Sequence, residues 1–166
     1  VDFSLNDYVN NTLFDLSNKI KAKEIEVTCD IKDKILITGD PGLFSQLLNN
    51  LVINSIIHAF DDTTNNLIEI AAHQTEQGHL FITYRDNGSG MDSQQLKKLY
   101  DPFYTTKMST GGGGLGMHVV YNIITQRLKG KIKCESEPDK GVFYQIDIPL
   151  PVAQPNETTA VAASVE

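Results

Sequence analysis

The order of predicted helices and strands is the feature that most constrains the fold of this 166-residue chain. One segment of helical periodicity is followed by two segments of strand periodicity, and this order occurs three times. The helical segments are 5–20, 41–60 and 115–129. The strand segments are 25–29, 34–38, 67–72, 80–85, 131–135 and 142–149, and we expect the first four to pair as two hairpins. This order predicts an α+β two-layer sandwich, in which three helices cover one face of a mixed, mostly antiparallel sheet.

Residues at the helix ends support these boundaries. Ser4, followed three residues later by Asp7, resembles a capping box for the first helix. Asp40 is a good N-cap and Pro41 suits a first helical turn, while Gly130 is placed to end the third helix. A further short helix is expected over 93–100.

Charge and composition exclude some classes of function. Fourteen Lys and Arg against 21 Asp and Glu leave a net charge of −7, which argues against a general nucleic-acid or anionic-membrane surface. No run reaches the roughly 18 apolar residues of a membrane span, so we expect a cytoplasmic domain, with an inner-membrane anchor of a longer parent left open. One domain is expected over 1–149, followed by a disordered tail at 150–166.

The two cysteines, Cys29 and Cys134, are separated by 104 intervening residues and lie in apolar, strand-like segments. Neither belongs to a CxxC pair or has a histidine at metal-ligand spacing. We therefore expect two buried, reduced thiols rather than a disulfide.

The segment DNGSG at 86–90 places a carboxylate at the end of a predicted strand, followed by glycines at alternate positions. Gly88 and Gly90 would let the backbone pass close to a flat ligand, while Asp86 accepts a hydrogen bond from it. An adenine amine is such a donor. On its own, the segment is more typical of an Asp-Gly turn that closes a strand.

The run GGGGLGM at 111–117 leads directly into the third helix. Consecutive exposed backbone N–H groups at a helix N-terminus can hold a phosphate without a basic cluster, which would reconcile an acidic chain with a nucleotide. A flexible linker is an equally good interpretation of the glycines alone. The wider segment 101–113 is expected to form a mobile loop.

Asn50, Asn54 and His58 repeat every four residues on the second helix, so they stack on one face. Side-chain amides on an apolar helix need a polar partner, and Asn54 offers a neutral oxygen suited to Mg²⁺ that also binds phosphate. The alternative is a polar stripe that faces water.

Together these motifs resemble the ATP-binding catalytic domain of bacterial sensor histidine kinases, whose superfamily includes gyrase, heat-shock chaperone and mismatch-repair ATPases and shares the Bergerat fold. The resemblance covers about residues 5–149. It rests on five segments: an asparagine box at 46–60 (QLLNNLVINSIIHAF), glycine boxes at 86–91 (DNGSGM) and 111–120 (GGGGLGMHVV), a phenylalanine box at 101–107 (DPFYTTK) and a closing strand at 139–149 (DKGVFYQIDIP).

The resemblance implies a role for each matched residue. Asp86 would bind the adenine amine beside Gly88 and Gly90, and Asn54, helped by Asn50, would hold Mg²⁺. The remaining implied contacts are His58 near the nucleotide, Gly112, Gly114, Leu115 and Gly116 along the phosphates, Lys107 as the base of a lid, and Phe103 as its hydrophobic switch. Asn50, Asn54 and Lys107 would be the catalytic set. One departure is Ile57, where many family members carry a basic residue that meets phosphate.

The resemblance also implies partners and a reaction. The domain would transfer the ATP γ-phosphate to a histidine on a dimerisation hairpin of the same parent, which would be a homodimer acting on a response regulator. None of His73, His79 and His118 resembles that acceptor. An ATP-hydrolysing conformational clamp and a nucleotide-binding regulatory domain without transfer activity are the alternatives.

Overall fold

A five-stranded sheet lies at the centre of the chain in a computed structural model, which describes residues 2–60, 65–101 and 116–150. The strands are β1 Asp2–Ser4, β2 Ile25–Asp30, β3 Leu36–Thr38, β4 Asn66–Gln74, β5 His79–Asp86, β6 Lys131–Ser136 and β7 Val142–Pro149. The sheet has the order β2-β4-β5-β7-β6, with β2 parallel to β4 and the other neighbours antiparallel.

Helices cover one face of this sheet. They are α1 Leu5–Asp15, α2 Ser17–Ala22, α3 Pro41–Asn54 and α5 Gly116–Asn122, and α3 packs against both α1 and α5. The short helix α4, Ser93–Lys97, has no buried residue. Alternate residues of the central strands, such as Ile68, Ile82 and Ile146, are fully buried in the same hydrophobic core as Leu47 and Leu51 of α3. Burial of each such side chain contributes roughly 1.5–3 kcal/mol, so this layer fixes α3 on the sheet. The predicted mixed α+β sandwich is confirmed.

The predicted hairpin between 25–29 and 34–38 is wrong. Strand β2 joins the sheet edge parallel to β4, whereas β3 pairs antiparallel with β1, which the sequence pattern did not reveal. The β3 segment is held by the start of α1, because the backbone N–H of Leu5 donates to Ile35 O at 2.9 Å and Ile35 N–H donates to Asn6 Oδ1 at 3.1 Å. These nonlocal bonds outweigh the local pairing that short strands suggest.

The first predicted helix is two helices, interrupted at Leu16, whose backbone leaves the helical region while its side chain stays in the core. The predicted cap is confirmed: Ser4 Oγ accepts a hydrogen bond from Asp7 N–H at 3.4 Å. At the start of α3, Asp40 Oδ1 accepts from Gly42 N–H at 2.9 Å. The fourth predicted helix is shorter than expected and ends at Lys97 rather than at residue 100.

Both α3 and α5 continue into a wider π-helical turn, Ser55–Ala59 after α3 and Ile123–Arg127 after α5. The left-handed residue beyond the second turn is Lys129, with φ 57°, rather than the expected Gly130. Gly130 is needed for a different reason, because a Cβ there would overlap the carbonyl oxygen of Asp147 on β7.

The cysteines are both reduced, as expected, and lie on opposite edge strands. Cys134 on β6 is partly buried, but Cys29 on β2 is exposed, so the expectation of two buried thiols is wrong for Cys29. No helix within the described ranges has the length and apolar character needed to cross a bilayer. The tail beyond residue 150 and most of the expected loop 101–113 lie outside the described residues.

Candidate functional site

Asp86, the last residue of β5, is a buried carboxylate with an exposed fraction of only 2%. Its Oδ1 accepts hydrogen bonds from Gly88 N–H at 3.0 Å and Val142 N–H at 3.3 Å, and its Oδ2 accepts from Ser55 Oγ at 2.7 Å. Burial raises the pKa of this carboxyl above its ordinary value, while the hydrogen bonds from Ser55, Gly88 and Val142 act in the opposite direction. The result is a fixed acceptor suited to a ligand N–H group.

Gly88 and Gly90 bring the chain after β5 close to other backbone segments. A Cβ on Gly88 would overlap Ala59 in the first π turn, and a Cβ on Gly90, whose φ is +66°, would overlap the carbonyl oxygen of Glu137. Both glycines are therefore required by close packing of the protein itself. Their place beside a ligand ring stays a prediction.

Gly141, which precedes β7, is a site residue that the sequence pattern did not single out. Its φ is +71°, and a Cβ there would overlap the carbonyl oxygen of Asp86. The turn before β7 also holds the 86–90 loop directly, because Asp139 N–H donates to Ser89 O at 2.7 Å. The only signal in the sequence was the Asp-Lys-Gly order at 139–141, which is typical of any tight turn.

Asn54, the last residue of α3, has a buried Nδ2 atom without a hydrogen-bond partner among the described residues. Its side chain lies against Gly116, the first residue of α5. Asn50 lies one turn earlier on α3 and is partly buried. A buried amide without a partner is costly, so this position suits a ligand that supplies one.

These residues fit a magnesium ion that is shared with phosphate. An amide oxygen is a hard, neutral ligand, and Mg²⁺ in nucleotide sites typically takes few protein ligands, with phosphate oxygens and waters completing its shell. The side-chain oxygen of Asn54 would be such a ligand, whereas its unpartnered Nδ2 is a donor that a phosphate oxygen could accept from. Asn50 is the nearest further amide along the same helix.

His58 lies in the π turn that follows α3, four residues after Asn54. The four-residue repeat continues through this turn, because Leu51, Ser55 and Ala59 are all buried, and Asn50, Asn54 and His58 are all partly buried. The carbonyl oxygen of His58 accepts from Ser89 Oγ at 3.1 Å, which ties the turn to the 86–90 loop.

The structure thus brings Asn54, Ser55, Asp86 and Gly116 into one neighbourhood, because Ser55 follows Asn54 directly and contacts Asp86. Five further expected site residues lie outside the described residues: Phe103, Lys107, Gly112, Gly114 and Leu115. Ser55 and its second partner, Tyr84, were not singled out by the sequence pattern, which carries no local signal for their contact.

Comparisons with known proteins indicate the family and the fold of this chain. A family model described as histidine kinase-, DNA gyrase B-, and HSP90-like ATPase matches residues 39–152. The chain is similar to the sensor histidine kinase ZraS of Klebsiella oxytoca, with 30% identity over 154 residues that cover 92% of this chain and 32% of ZraS. It therefore spans about a third of that relative's length.

Solved structures of similar fold include the nucleotide-free catalytic domain of histidine kinase ThkA, with TM-score 0.77, 25% identity and coverage of 90% of this chain and 95% of that domain. Histidine kinase ThkA in complex with response regulator protein TrrA matches with TM-score 0.74 and 23% identity, covering 91% of this chain and 42% of the matched chain.

Proposed function

Because this chain belongs to the family of histidine kinase-, DNA gyrase B-, and HSP90-like ATPases, we propose that it is the ATP-binding catalytic domain of a sensor histidine kinase. The reaction is transfer of the ATP γ-phosphate to a histidine on a separate domain. The observation that carries this proposal is the buried acceptor Asp86, joined through Ser55 to the neighbouring unpartnered amide of Asn54. Asp86 suits an adenine amine, while the Asn54 side chain offers its oxygen to a metal ion and its unpartnered N–H group to a phosphate oxygen.

In this proposal Asp86 accepts the adenine amine, and Asn54 with Asn50 holds Mg²⁺. A bound Mg²⁺ supplies neutralisation of phosphate charge, and the rest is positioning, because phosphoryl transfer needs little covalent chemistry from the protein. His58 lies near the nucleotide and Gly116 near the phosphates. Outside the described residues, the proposal assigns Gly112, Gly114 and Leu115 to the phosphates, and Lys107 and Phe103 to a lid.

The acceptor histidine belongs to a dimerisation hairpin of the same parent, which acts as a homodimer and passes the phosphate to a response regulator. The similarity to ThkA, which has been solved with such a regulator, supports this partner. The histidines of this domain at 73, 79 and 118 are engaged within it: His73 stacks on Phe81, His79 contacts Asp147, and His118 contacts Tyr100.

The test is transfer of labelled γ-phosphate from Mg·ATP to a purified dimerisation hairpin. We expect labelling of the hairpin by this domain, strong loss with Asn54→Ala or Asp86→Asn, and no loss with Asp30→Asn, an exposed carboxylate on β2. In calorimetry, Asp86→Asn should weaken ATP binding by about 1–3 kcal/mol, because an amide presents a donor to the adenine amine. Tight ATP binding without any transfer would identify a regulatory domain instead.

A further inference from the structure

Ser55 lies between Asp86 and Tyr84 in the core of the site. Its Oγ is 2.7 Å from Asp86 Oδ2 and 2.7 Å from the hydroxyl of Tyr84. Ser55 has an exposed fraction of 3% and Tyr84 of 1%, so water does not compete for these bonds. The three side chains come from the first π turn and from β5, and together they form one buried hydrogen-bond chain.

The direction of this hydrogen-bond chain follows from the number of protons that each group can donate. An ionised carboxylate can only accept, so the single proton of Ser55 goes to Asp86, and the Tyr84 hydroxyl must donate to Ser55. Burial raises the pKa of Tyr84 far above its ordinary value, so Tyr84 keeps its proton at any physiological pH. The chain therefore runs from Tyr84 through Ser55 to Asp86.

The existing hydrogen bonds limit the number of acceptor positions that Asp86 can offer a ligand. Oδ1 already accepts from Gly88 and Val142, and Oδ2 accepts from Ser55. A carboxylate oxygen has two acceptor positions, so one position on Oδ2 stays available. Because hydrogen bonds fix both carboxylate oxygens, the remaining acceptor position on Oδ2 points in a fixed direction.

We infer that Ser55 and Tyr84 are positioning residues, which hold Asp86 as an oriented acceptor for the amine of a 6-aminopurine nucleotide. The inference rests on the proposed function and deepens it. Discrimination against nucleotides without that amine then depends on Ser55, which contacts Asp86, and on Tyr84, which contacts Ser55. In this inference neither residue contacts the nucleotide. A 6-oxopurine would bring an acceptor to an acceptor and is disfavoured by the same arrangement.

The test compares affinities for Mg·ATP and for Mg·purine-riboside triphosphate, which lacks the 6-amino group, by calorimetry. We expect Ser55→Ala and Tyr84→Phe to weaken ATP binding, Ser55→Ala by about tenfold or more, and to leave the analogue almost unchanged. The double variant should lose no more than Ser55→Ala, because Tyr84 acts through Ser55. Ser55→Thr, which restores the hydroxyl, should restore the preference for ATP.

A pH series gives a second readout that a purely structural role would not move. Because the Ser55 hydrogen bond lowers the pKa of Asp86, Ser55→Ala should shift the acid loss of ATP binding to higher pH. Tyr144→Phe is the matched control, since it also removes a buried hydroxyl but lies outside the chain, with its ring centre 6.2 Å from that of Tyr84.

The outcomes separate this inference from the proposed function. A wild-type domain with equal affinity for both nucleotides would overturn adenine recognition by Asp86 itself. A wild-type domain that prefers ATP, with variants that keep the full preference or weaken both nucleotides equally, would overturn the positioning role alone. If Ser55→Ala does not fold, Tyr84→Phe, which removes a single oxygen, decides the question.

Discussion

The side-chain amide of Asn54 lies directly against Gly116: a Cβ at residue 116 would be 3.0 Å from Asn54 Oδ1 and 3.2 Å from Nδ2. The two residues are the last of α3 and the first of α5, and these two helices pack together. A separation below about 3.4 Å is closer than ordinary carbon contact, so a side chain at residue 116 would push the amide away by a few tenths of an ångström.

We predict that Gly116→Ala displaces the Asn54 amide and weakens Mg²⁺-dependent nucleotide binding. The fold should persist, because alanine in a helix is favoured over glycine by about 1 kcal/mol. Calorimetry with ATP in Mg²⁺ and in EDTA measures the effect, and the loss should be larger in the Mg²⁺ condition.

Gly39→Ala is the matched control, because a Cβ at residue 39 meets nothing within 4 Å. It should leave both measurements unchanged. Equal Mg²⁺-dependent affinity in Gly116→Ala and the wild type would show that the amide does not hold the metal ion.

A second prediction concerns the stability cost of Asp86. Burial raises its pKa in the folded state, whereas the unfolded carboxyl titrates near about 4. Between these two pKa values the folded chain retains a proton that the unfolded chain has lost, so stability falls as pH rises through that window, and the loss persists above it. The Asp86→Asn variant has no ionisable group at this position, so its unfolding free energy does not fall for this reason.

Urea unfolding of the nucleotide-free domain between pH 4 and 7 measures this effect. The unfolding free energy of Asp86→Asn should rise relative to the wild type as the pH increases, while Asp30→Asn should show no such trend. A pH-independent difference between Asp86→Asn and the wild type would contradict a raised pKa. The function of Asp86 as an acceptor would then carry no cost in stability.

Gly141→Ala should be among the most destabilising substitutions in the domain. Its φ of +71° is unfavourable for alanine, and the new Cβ would overlap the carbonyl oxygen of Asp86, so the loss should exceed about 2 kcal/mol. Asp139→Ala is the comparison, because Asp139 also has a positive φ, 64°, but is exposed. Chemical unfolding of both variants should give a much smaller loss for Asp139→Ala.

Local signals accounted for much of the fold. The cap at Asp40, the period of α3 and the alternation in β4, β5 and β7 each depend on residues a few positions apart, and all were predicted. The parallel register of Ile25 with Asn66 was not, because it joins segments 41 residues apart without a local turn. The π turns have no signal in the hydrophobic pattern, since one extra residue per turn leaves the buried positions nearly in step.

Some residues of the candidate site could likewise be predicted from local sequence, and others could not. Asp86 was singled out by its place at a strand end before alternate glycines, and Asn54 by its four-residue spacing with Asn50 and His58. Ser55 and Tyr84 were not, because a serine on an apolar helix and a tyrosine on a strand are ordinary core residues until their 2.7 Å contact is known. Gly141 was missed for the same reason, since its need for glycine comes from a carbonyl oxygen of another segment.

The last prediction separates a kinase from a hydrolase. A hydrolase needs a base that activates water near the metal-bound phosphates, and one helical turn before Asn54 this chain has Asn50, partly buried on α3. An amide cannot take a proton at neutral pH, so this domain should release phosphate from ATP only slowly. Asn50→Glu adds a base, which where geometry permits accelerates water attack by about 10²–10⁴-fold. Asn49→Glu is the matched control, because it adds the same charge about 100° around the helix and should not accelerate hydrolysis. Rapid steady-state phosphate release by the wild type that is lost in Asn54→Ala would replace the kinase with an ATP-hydrolysing clamp.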